Sequence, residues 1–267
     1  MASMVDLDGG DTWEVIEALY TGNISRLNDG EDCNGLDASR GACVYGEITT
    51  PMRLFKVLQL CSDDVFLDLG SGRGQAVLAA AMTQNAPKLA AGVEMVRVRH
   101  DVAAAALRNA THIDKSTVSL ICGDALGAAM LSEATKVFIC NIAFEGMLNE
   151  AFASALAPSR APMLKRVCTM APLTDECLNK GELQLAEVSA VGCSWSPCGT
   201  ALYCYDRRHA GREEPAPPVT VDSGLLESVA SNRRQAAAAD RAMGHATEAE
   251  MERGLMRTAM MMAAARG

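Results

Sequence analysis

The clearest pattern along the chain is an alternation of short apolar runs with segments whose apolar residues recur at helical spacing. Strands are predicted at 65–68, 89–94, 118–122, 137–140 and 163–169. Helices are predicted between them, at 75–84, 98–109 and 145–156. Short strands that are almost wholly apolar and alternate with helices are typical of a parallel sheet covered on both faces. The pattern therefore predicts a doubly wound α/β domain.

The segments on either side of this alternating region show other patterns. Asp11 and Glu14 are spaced like a helix start, so a helix is predicted through residue 27, followed by an irregular loop at 28–42. Thr50-Pro51 is typical of a helix beginning, with the helix running through 52–61. Segments 183–191 and 200–205 suggest a closing β-hairpin, and 213–218 is a proline-rich linker. We expect three regions: an N-terminal helical and loop extension at 1–43, an α/β domain at 44–210, and a linker with an Ala-, Met- and Arg-rich tail at 211–267, helical or disordered.

Composition and charge limit the kinds of partner that the chain is expected to bind. The chain has 267 residues, a formal net charge of −9 and 4% aromatic residues. This balance argues against a broad basic footprint on nucleic acid and against a series of base-stacking aromatics. The start lacks a signal-peptide pattern, and no apolar stretch is long enough for a membrane span. The 10 cysteines form no Cys-x-x-Cys pair, so we expect small buried thiols in a reducing compartment and no metal site.

The most informative segment is Gly70-Ser-Gly72-Arg-Gly74-Gln75, which joins a predicted strand to a predicted helix. A glycine turn at this place lets backbone N–H groups approach a ligand closely. The dinucleotide fingerprint requires a further glycine where Gln75 stands, which disfavours a nicotinamide oxidoreductase.

Acidic residues follow three successive predicted strands, at Asp68, Glu94 and Asp124. These carboxylates suit S-adenosylmethionine, because Asp68 can hold its amino group, Glu94 its ribose hydroxyls and Asp124 its adenine amino group. The sequence therefore predicts S-adenosylmethionine as the cofactor.

Several motifs together resemble the disruptor-of-telomeric-silencing (Dot) family of histone lysine methyltransferases. They span roughly residues 44–207 and comprise Val44-Tyr45-Gly46-Glu47, Phe66 through Gln75, Gly92-Val93-Glu94, Gly123-Asp124, Phe138 through Phe144, Ala171-Pro172-Leu173, Ser194-Trp195, Tyr203 and Asp206-Arg207. The chain is most similar to the small trypanosomatid members. It departs from the family pattern at Cys140, where the family has an asparagine, and at Arg73, where the family has a small apolar residue.

The resemblance implies a class I S-adenosylmethionine-dependent methyltransferase with a Rossmann-like, seven-stranded, mostly parallel sheet. It implies methyl transfer to a lysine in the globular core of histone H3 within nucleosomes, and hence a nuclear protein that regulates chromatin. The residues that it implies for cofactor binding are Tyr45, Glu47, Asp68, Gly70, Gly72, Gln75, Glu94 and Asp124. Those that it implies for catalysis, around a lysine channel, are Asn141, Phe144, Trp195 and Tyr203.

The sequence leaves alternatives open. A class I methyltransferase acting on another protein or a small molecule fits the cofactor motifs equally well, and Cys140 motivates a non-catalytic binding module of the same fold. The acidic charge favours recognition of a basic histone surface, with little direct sequence-specific contact to nucleic acid, no membrane contact, and protein partners as an option for the tail. A local basic patch is still an option for Arg97, Arg99, Lys165, Arg166, Arg207, Arg208 and Arg212.

Overall fold

The fold is described from a computed structural model, which describes residues 16, 18–20, 47–142, 144, 146–194, 196–208 and 220–221. One sheet contains eight strands: β1 (Val65–Leu69), β2 (Leu89–Glu94), β3 (Val118–Cys122), β4 (Lys136–Ile139), β5 (Arg166–Thr169), β6 (Leu183–Cys193), β7 (Ser196–Arg207) and β8 (Thr220–Val221). The α-helices among the described residues from 47 to 208 are α1 (Pro51–Leu58), α2 (Gln75–Met82), α3 (Arg97–Asn109), α4 (Gly146–Ala155) and α5 (Asp175–Lys180).

The strand order across the sheet is β3-β2-β1-β4-β5-β7-β6-β8. Strands β1 to β5 run parallel, and β7 pairs antiparallel with both β5 and β6. This confirms the predicted doubly wound, mostly parallel sheet with its closing hairpin, and β8 adds a two-residue strand parallel to β6. The winding direction reverses between β1 and β4, and ligands of such sheets bind beyond the carboxyl ends of the strands at this point.

Alternate residues of the strands pack into two separate hydrophobic cores, one on each face of the sheet. Phe66 on β1 packs with Leu54 and Leu78 on one face, where α1, α2 and α3 lie. Leu67 packs on the opposite face with Phe152 of α4. Because every residue of β1 is buried, the strand has no solvent-exposed face, which is why all of its residues except Asp68 are apolar.

The cysteines depart from expectation at one pair. Cys168 on β5 and Cys204 on β7 form a disulfide, so the expectation of thiols alone is wrong for these two residues. The reason is the antiparallel register, which sets Cys168 directly opposite Cys204 with Cα atoms 4.2 Å apart. The cysteines that are free in the described part are Cys61, Cys122, Cys140, Cys177 and Cys193.

The described residues contain no helix that is both long and apolar enough to cross a membrane. They also contain no group of three or more His, Cys, Asp or Glu side chains placed to hold a metal ion.

Candidate active site

The glycine loop between β1 and α2 depends on backbone conformations that favour glycine. Gly70, Gly72 and Gly74 have φ values of 86°, 55° and 78°. A Cβ added to Gly74 would lie 2.9 Å from Cβ of Ala103 on α3, so this glycine also permits close helix packing. The loop is tied to β2, because the N–H groups of Gly70 and Ser71 both donate to the carbonyl of Val93.

Glu94, at the end of β2, connects two loops. Its side chain is buried, and its two carboxylate oxygens accept the N–H groups of Gly72 and Val96, each over 2.8 Å. The sequence predicted a ligand-binding carboxylate here, and the structure adds a second role. Glu94 fixes the glycine loop to the turn that begins α3.

Asp68 on β1 carries a buried carboxylate that has an unused acceptor. Its side chain is 4% exposed, and Oδ1 has no hydrogen-bond partner in the structure. Burial and, to a smaller extent, the negative charge of Glu94 together raise the pKa of Asp68 to about 8. Gln75, the first residue of α2, presents a second buried acceptor without a partner, Oε1. Two such acceptors beside a glycine loop suit a cation that carries N–H donors.

Asp124 follows β3 and differs from the other two acids because it is exposed. Its Oδ1 accepts the N–H of Leu126 over 2.9 Å and so begins a short 3₁₀ turn. The neighbouring Gly123 donates its N–H to the carbonyl of Glu94, which joins the ends of β3 and β2. Since β1, β2 and β3 are adjacent and parallel, Asp68, Glu94 and Asp124 all lie at the carboxyl edge of the sheet, as the sequence predicted.

Phe144 borders the glycine loop from the β4 side. A Cβ added to Gly70 would lie 4.0 Å from Cζ of Phe144. The ring stacks on Phe152 of α4, with centroids 5.3 Å apart and planes 11° apart. This stacking fixes an aromatic surface beside the candidate cofactor site, and a role of Phe144 in a lysine channel stays a prediction.

Asn141 lies directly after β4 and is 2% exposed. Its Oδ1 accepts the N–H groups of Met170 and Ala171. Its Nδ2 donates to Oδ1 of Asn149 and to the carbonyl of Ala171. All four positions of the carboxamide are thus used within the protein, so Asn141 holds the loop after β5 in place. A direct catalytic role for Asn141 stays a prediction.

The loop after β5 has further supports that the sequence did not reveal. The hydroxyl of Thr169 donates to the carbonyl of Ala171 over 2.7 Å. The buried Tyr205 accepts the N–H of Leu173 over 3.0 Å, and burial raises the pKa of this tyrosine. Tyr205 lies two residues after the predicted site residue Tyr203, and the same alternation in β7 could have pointed to it.

Of the remaining predicted site residues, Tyr203 and Glu47 are described by the structure, and Tyr45 and Trp195 are not. Tyr203 is half-buried on β7 opposite Thr169, and it packs against the same apolar cluster as Phe144. Glu47 exchanges two hydrogen bonds with Ser194 at the β6–β7 turn, one through its N–H and one through its carbonyl. Tyr45 and Trp195 lie outside the described residues.

Cys140 occupies the place where the sequence departs from the family pattern. Burial and, to a smaller extent, the nearby Asp68 together raise the pKa of its thiol to about 12. The thiol therefore stays protonated at neutral pH and is a poor nucleophile.

Tyr20, in the N-terminal extension, is a site residue that the sequence analysis missed. Its hydroxyl donates to the carbonyl of Arg73 in the glycine loop over 2.8 Å. No local motif predicts this contact, because 53 residues separate the two partners.

The basic residues named from the sequence do not form one surface patch within the described residues. Arg99 and Arg166 are buried, and Arg207 donates to the carbonyls of Gly181, Leu156 and Ala161. The basic side chains also lie at opposite ends of the parallel strands. Arg97 begins α3 at the carboxyl end of β2, whereas Lys165 lies at the amino end of β5.

Comparison with known proteins gives a family and a fold. The sequence profile of the family described as "Histone methylation protein DOT1" matches residues 37–176, which is more than half of the chain. The match includes all the predicted cofactor residues together with Asn141 and Phe144, and it ends before Trp195 and Tyr203. No curated protein sequence matches the chain.

Solved structures resemble the chain in fold. Sp1610 from Streptococcus pneumoniae, provisionally described as a tRNA (m1A22) methyltransferase, is 14% identical and aligns over 80% of this chain and 96% of its own, with a TM-score of 0.50. The M1A22 tRNA methyltransferase TrmK of B. subtilis is 16% identical, with the same coverage and a TM-score of 0.49. At this identity, the likeness to Sp1610 establishes the α/β methyltransferase fold alone. By the extent of the family match, the chain belongs to the histone methylation protein DOT1 family and is a methyltransferase.

Proposed function

We propose that the chain transfers a methyl group from S-adenosylmethionine to a lysine side chain in the globular core of histone H3 within nucleosomes. The observation that carries this proposal is the pair of buried, unpartnered acceptors Asp68 Oδ1 and Gln75 Oε1 beside the glycine loop. Family membership supports histone as the substrate. Within the proposal the protein is nuclear, and its tail is available for protein partners.

The residues present fit this cofactor. Asp68 and Gln75 would hold the ammonium group, two of whose three N–H donors would satisfy the two unpartnered acceptors. Glu94 would accept from the ribose hydroxyls, since each of its oxygens accepts only one N–H within the protein. Asp124 would accept from the adenine amino group, for which its exposure leaves room. When bound, S-adenosylmethionine supplies a methyl group activated by its sulfonium sulfur.

The acceptor lysine must lose its proton before it can attack, because its pKa in water is about 10.4. Phe144 and Tyr203, which pack against the same apolar cluster, would supply an environment that disfavours the charged ammonium form. Asn141, Thr169 and Tyr205 would keep this wall in place through the loop after β5. The protein thus positions the acceptor and excludes water, and the proton leaves to solvent.

Charge supports a histone partner over naked nucleic acid. The chain has a net charge of −9, and histones are basic. Arg166 and Arg207, which were candidates for a basic patch, instead hydrogen-bond to Asp206 and to backbone carbonyls, among them those of Val57 and Leu156. We therefore expect weak binding to DNA alone and a small dependence of nucleosome binding on salt.

The division at residues 44 and 210 remains part of the proposal. Ile16 and Tyr20, in the N-terminal region, are buried in the same core as α1 and α2. Strand β8 extends the sheet past residue 210. The catalytic unit that we propose therefore needs contacts from both flanking regions.

The decisive experiment uses the full chain, S-adenosylmethionine labelled in its methyl group, and four separate acceptors: reconstituted nucleosomes, free histone H3, DNA and a mixture of small-molecule amines. Mass spectrometry of H3 should locate the methyl group on a lysine of the globular core, with nucleosomes as the best acceptor. Asp68→Ala should abolish the label while leaving the fold intact. Transfer to a small molecule and none to histone would replace the proposed substrate, and absence of cofactor binding would remove the proposal altogether.

A further inference from the structure

We propose that Tyr20 is a positioning residue of the cofactor site, which holds the glycine loop in its binding conformation from the N-terminal side. The hydroxyl of Tyr20 donates to the carbonyl of Arg73 over 2.8 Å. This inference rests on the function proposed above, because it assigns the N-terminal extension to the same cofactor site.

Tyr20 is firmly anchored. It is 7% exposed, and Ile16, four residues earlier, is fully buried. Both side chains belong to the apolar cluster that contains Leu54 of α1 and Val77 of α2. Helix α2 begins directly after the glycine loop. Because Tyr20 packs in the core that contains Val77 of α2, the ring is fixed relative to the helix that follows the loop.

The hydrogen bond acts on a peptide group that matters for the loop. The carbonyl of Arg73 and the N–H of Gly74 belong to one planar peptide unit. The N–H of Gly74 donates to the carbonyl of Ser71 over 2.8 Å. Tyr20 and Ser71 thus hold this unit at both ends, and rotation of the unit would break both bonds.

Glu94 holds the preceding part of the same loop. Its Oε2 accepts the N–H of Gly72, so the loop is fixed by Glu94 on the β2 side and by Tyr20 on the N-terminal side. A glycine-rich loop loses much conformational entropy on ordering. Contacts that order it in the free protein remove that cost from ligand binding.

The electrostatic environment keeps Tyr20 in the state that donates. Burial raises the pKa of its hydroxyl, and the charge of Glu47 raises it further, against a smaller lowering by Arg73. The hydroxyl is therefore neutral at physiological pH. Glu47 in turn hydrogen-bonds to Ser194, so the N-terminal segment, the segment at 47–50 and the β6–β7 turn meet near Tyr20.

Tyr20→Phe removes the hydroxyl and retains the buried ring. We expect the dissociation constant for S-adenosylmethionine, measured by calorimetry on the full chain, to rise about three- to tenfold. The KM for the cofactor should rise by a similar factor, while kcat at saturating cofactor and the KM for nucleosomes stay within about twofold of wild type. The matched control is Tyr205→Phe, which removes a hydroxyl from a second buried tyrosine that contacts the loop after β5. It should lose comparable thermal stability and keep the cofactor dissociation constant.

Hydrogen exchange without cofactor separates this inference from the proposed function. In the wild-type chain the amides of Gly72 and Gly74 should exchange slowly, and Tyr20→Phe should accelerate them while Tyr205→Phe does not. If the wild-type chain binds no S-adenosylmethionine, the proposed function fails, and this exchange pattern still decides the role of Tyr20. Fast exchange of both amides in the wild type, or equal cofactor affinity in wild type and Tyr20→Phe, would overturn the inference.

Discussion

The backbone N–H of Gly72 donates to Oε2 of Glu94 over 2.8 Å, so the carboxylate expected to bind ribose also holds the loop expected to surround the cofactor. The other oxygen, Oε1, accepts the N–H of Val96 at the start of α3. Substitution of Glu94 must therefore affect both the ligand and the shape of its site.

Glu94→Gln should lower both stability and cofactor affinity. The amide group of glutamine has one acceptor oxygen, so either Gly72 or Val96 would face an N–H donor in a buried place. We expect a loss of about 1–3 kcal/mol in the free energy of unfolding, measured by chemical denaturation, because a buried donor is left unsatisfied. Cofactor affinity, measured by titration, should fall as well.

A suitable control is Asp124→Asn. Asp124 is exposed, and an asparagine oxygen can accept the N–H of Leu126 equally well. Its stability should stay within about 0.5 kcal/mol of wild type. Equal stability of wild type and Glu94→Gln would contradict the bridging role of the carboxylate.

Asp68→Asn should stabilise the cofactor-free protein while it removes cofactor binding. The pKa of Asp68 rises from 3.8 to about 8 on folding, so the folded state binds the proton more tightly than the unfolded state. Wild-type stability should therefore fall as pH rises from about 4 to about 8, and then this contribution should level off. Asparagine does not titrate, so the difference in denaturation midpoint between variant and wild type should grow over this window. A difference that is constant with pH would show that Asp68 ionises normally.

Cofactor affinity should follow a bell-shaped pH profile with a maximum near pH 8. Below this pH, binding of the cationic amino group requires ionisation of Asp68, whose pKa is about 8, so affinity should rise up to about tenfold per pH unit. Above it, the amino group itself deprotonates, since α-amino groups have a pKa of about 7.7–8.0. Calorimetry in buffers of different ionisation enthalpy should detect proton release on binding at about pH 7. A flat profile between about pH 6 and 7.5 would remove Asp68 as the partner of the amino group.

The sheet and its glycine loop were predictable because their determinants are local. Apart from Asp68, β1 is apolar because both of its faces are covered, and the helices between the strands are recognisable from the helical spacing of their apolar residues. The positions of Asp68, Glu94 and Asp124 follow from strand ends alone, because parallel strands bring their carboxyl ends to one edge.

Contacts between distant segments were not predictable in this way. The Tyr20 hydroxyl and the Arg73 carbonyl meet only because Ile16 and Tyr20 pack into the core formed by α1 and α2. The Cys168–Cys204 disulfide depends on the exact register between β5 and β7, which spacing in the sequence does not determine. Whether the basic residues form a surface patch was not predictable from the sequence either, because Arg166 resembles a surface cation in the sequence and is buried in the fold.

Asn141 illustrates both sides of this division. Its place directly after β4 was predictable, but its partners are the side chain of Asn149 and backbone groups of Met170 and Ala171, the last two about thirty residues further along the chain. Because these partners use both of its acceptor positions and both of its N–H donors, sequence position alone overstated its freedom to contact a substrate.

Asn141→Ala should therefore destabilise the fold and disturb the acceptor side of the site. The substitution leaves the N–H groups of Met170 and Ala171 without their acceptor, and we expect a loss of about 2–4 kcal/mol in the free energy of unfolding. The loop after β5 should become more mobile, so its amides should exchange hydrogen faster. The affinity for S-adenosylmethionine should change little, because none of the four hydrogen bonds of this carboxamide is to the glycine loop. Asn149→Ala is the matched comparison, because it removes one hydrogen bond of Asn141 and the bond from Asn149 Nδ2 to the carbonyl of Phe144. It leaves the N–H groups of Met170 and Ala171 with their acceptor, so it should cost less than Asn141→Ala. If Asn141→Ala instead lowered kcat strongly with unchanged stability and unchanged loop exchange, Asn141 would be a residue that acts directly on the reacting groups.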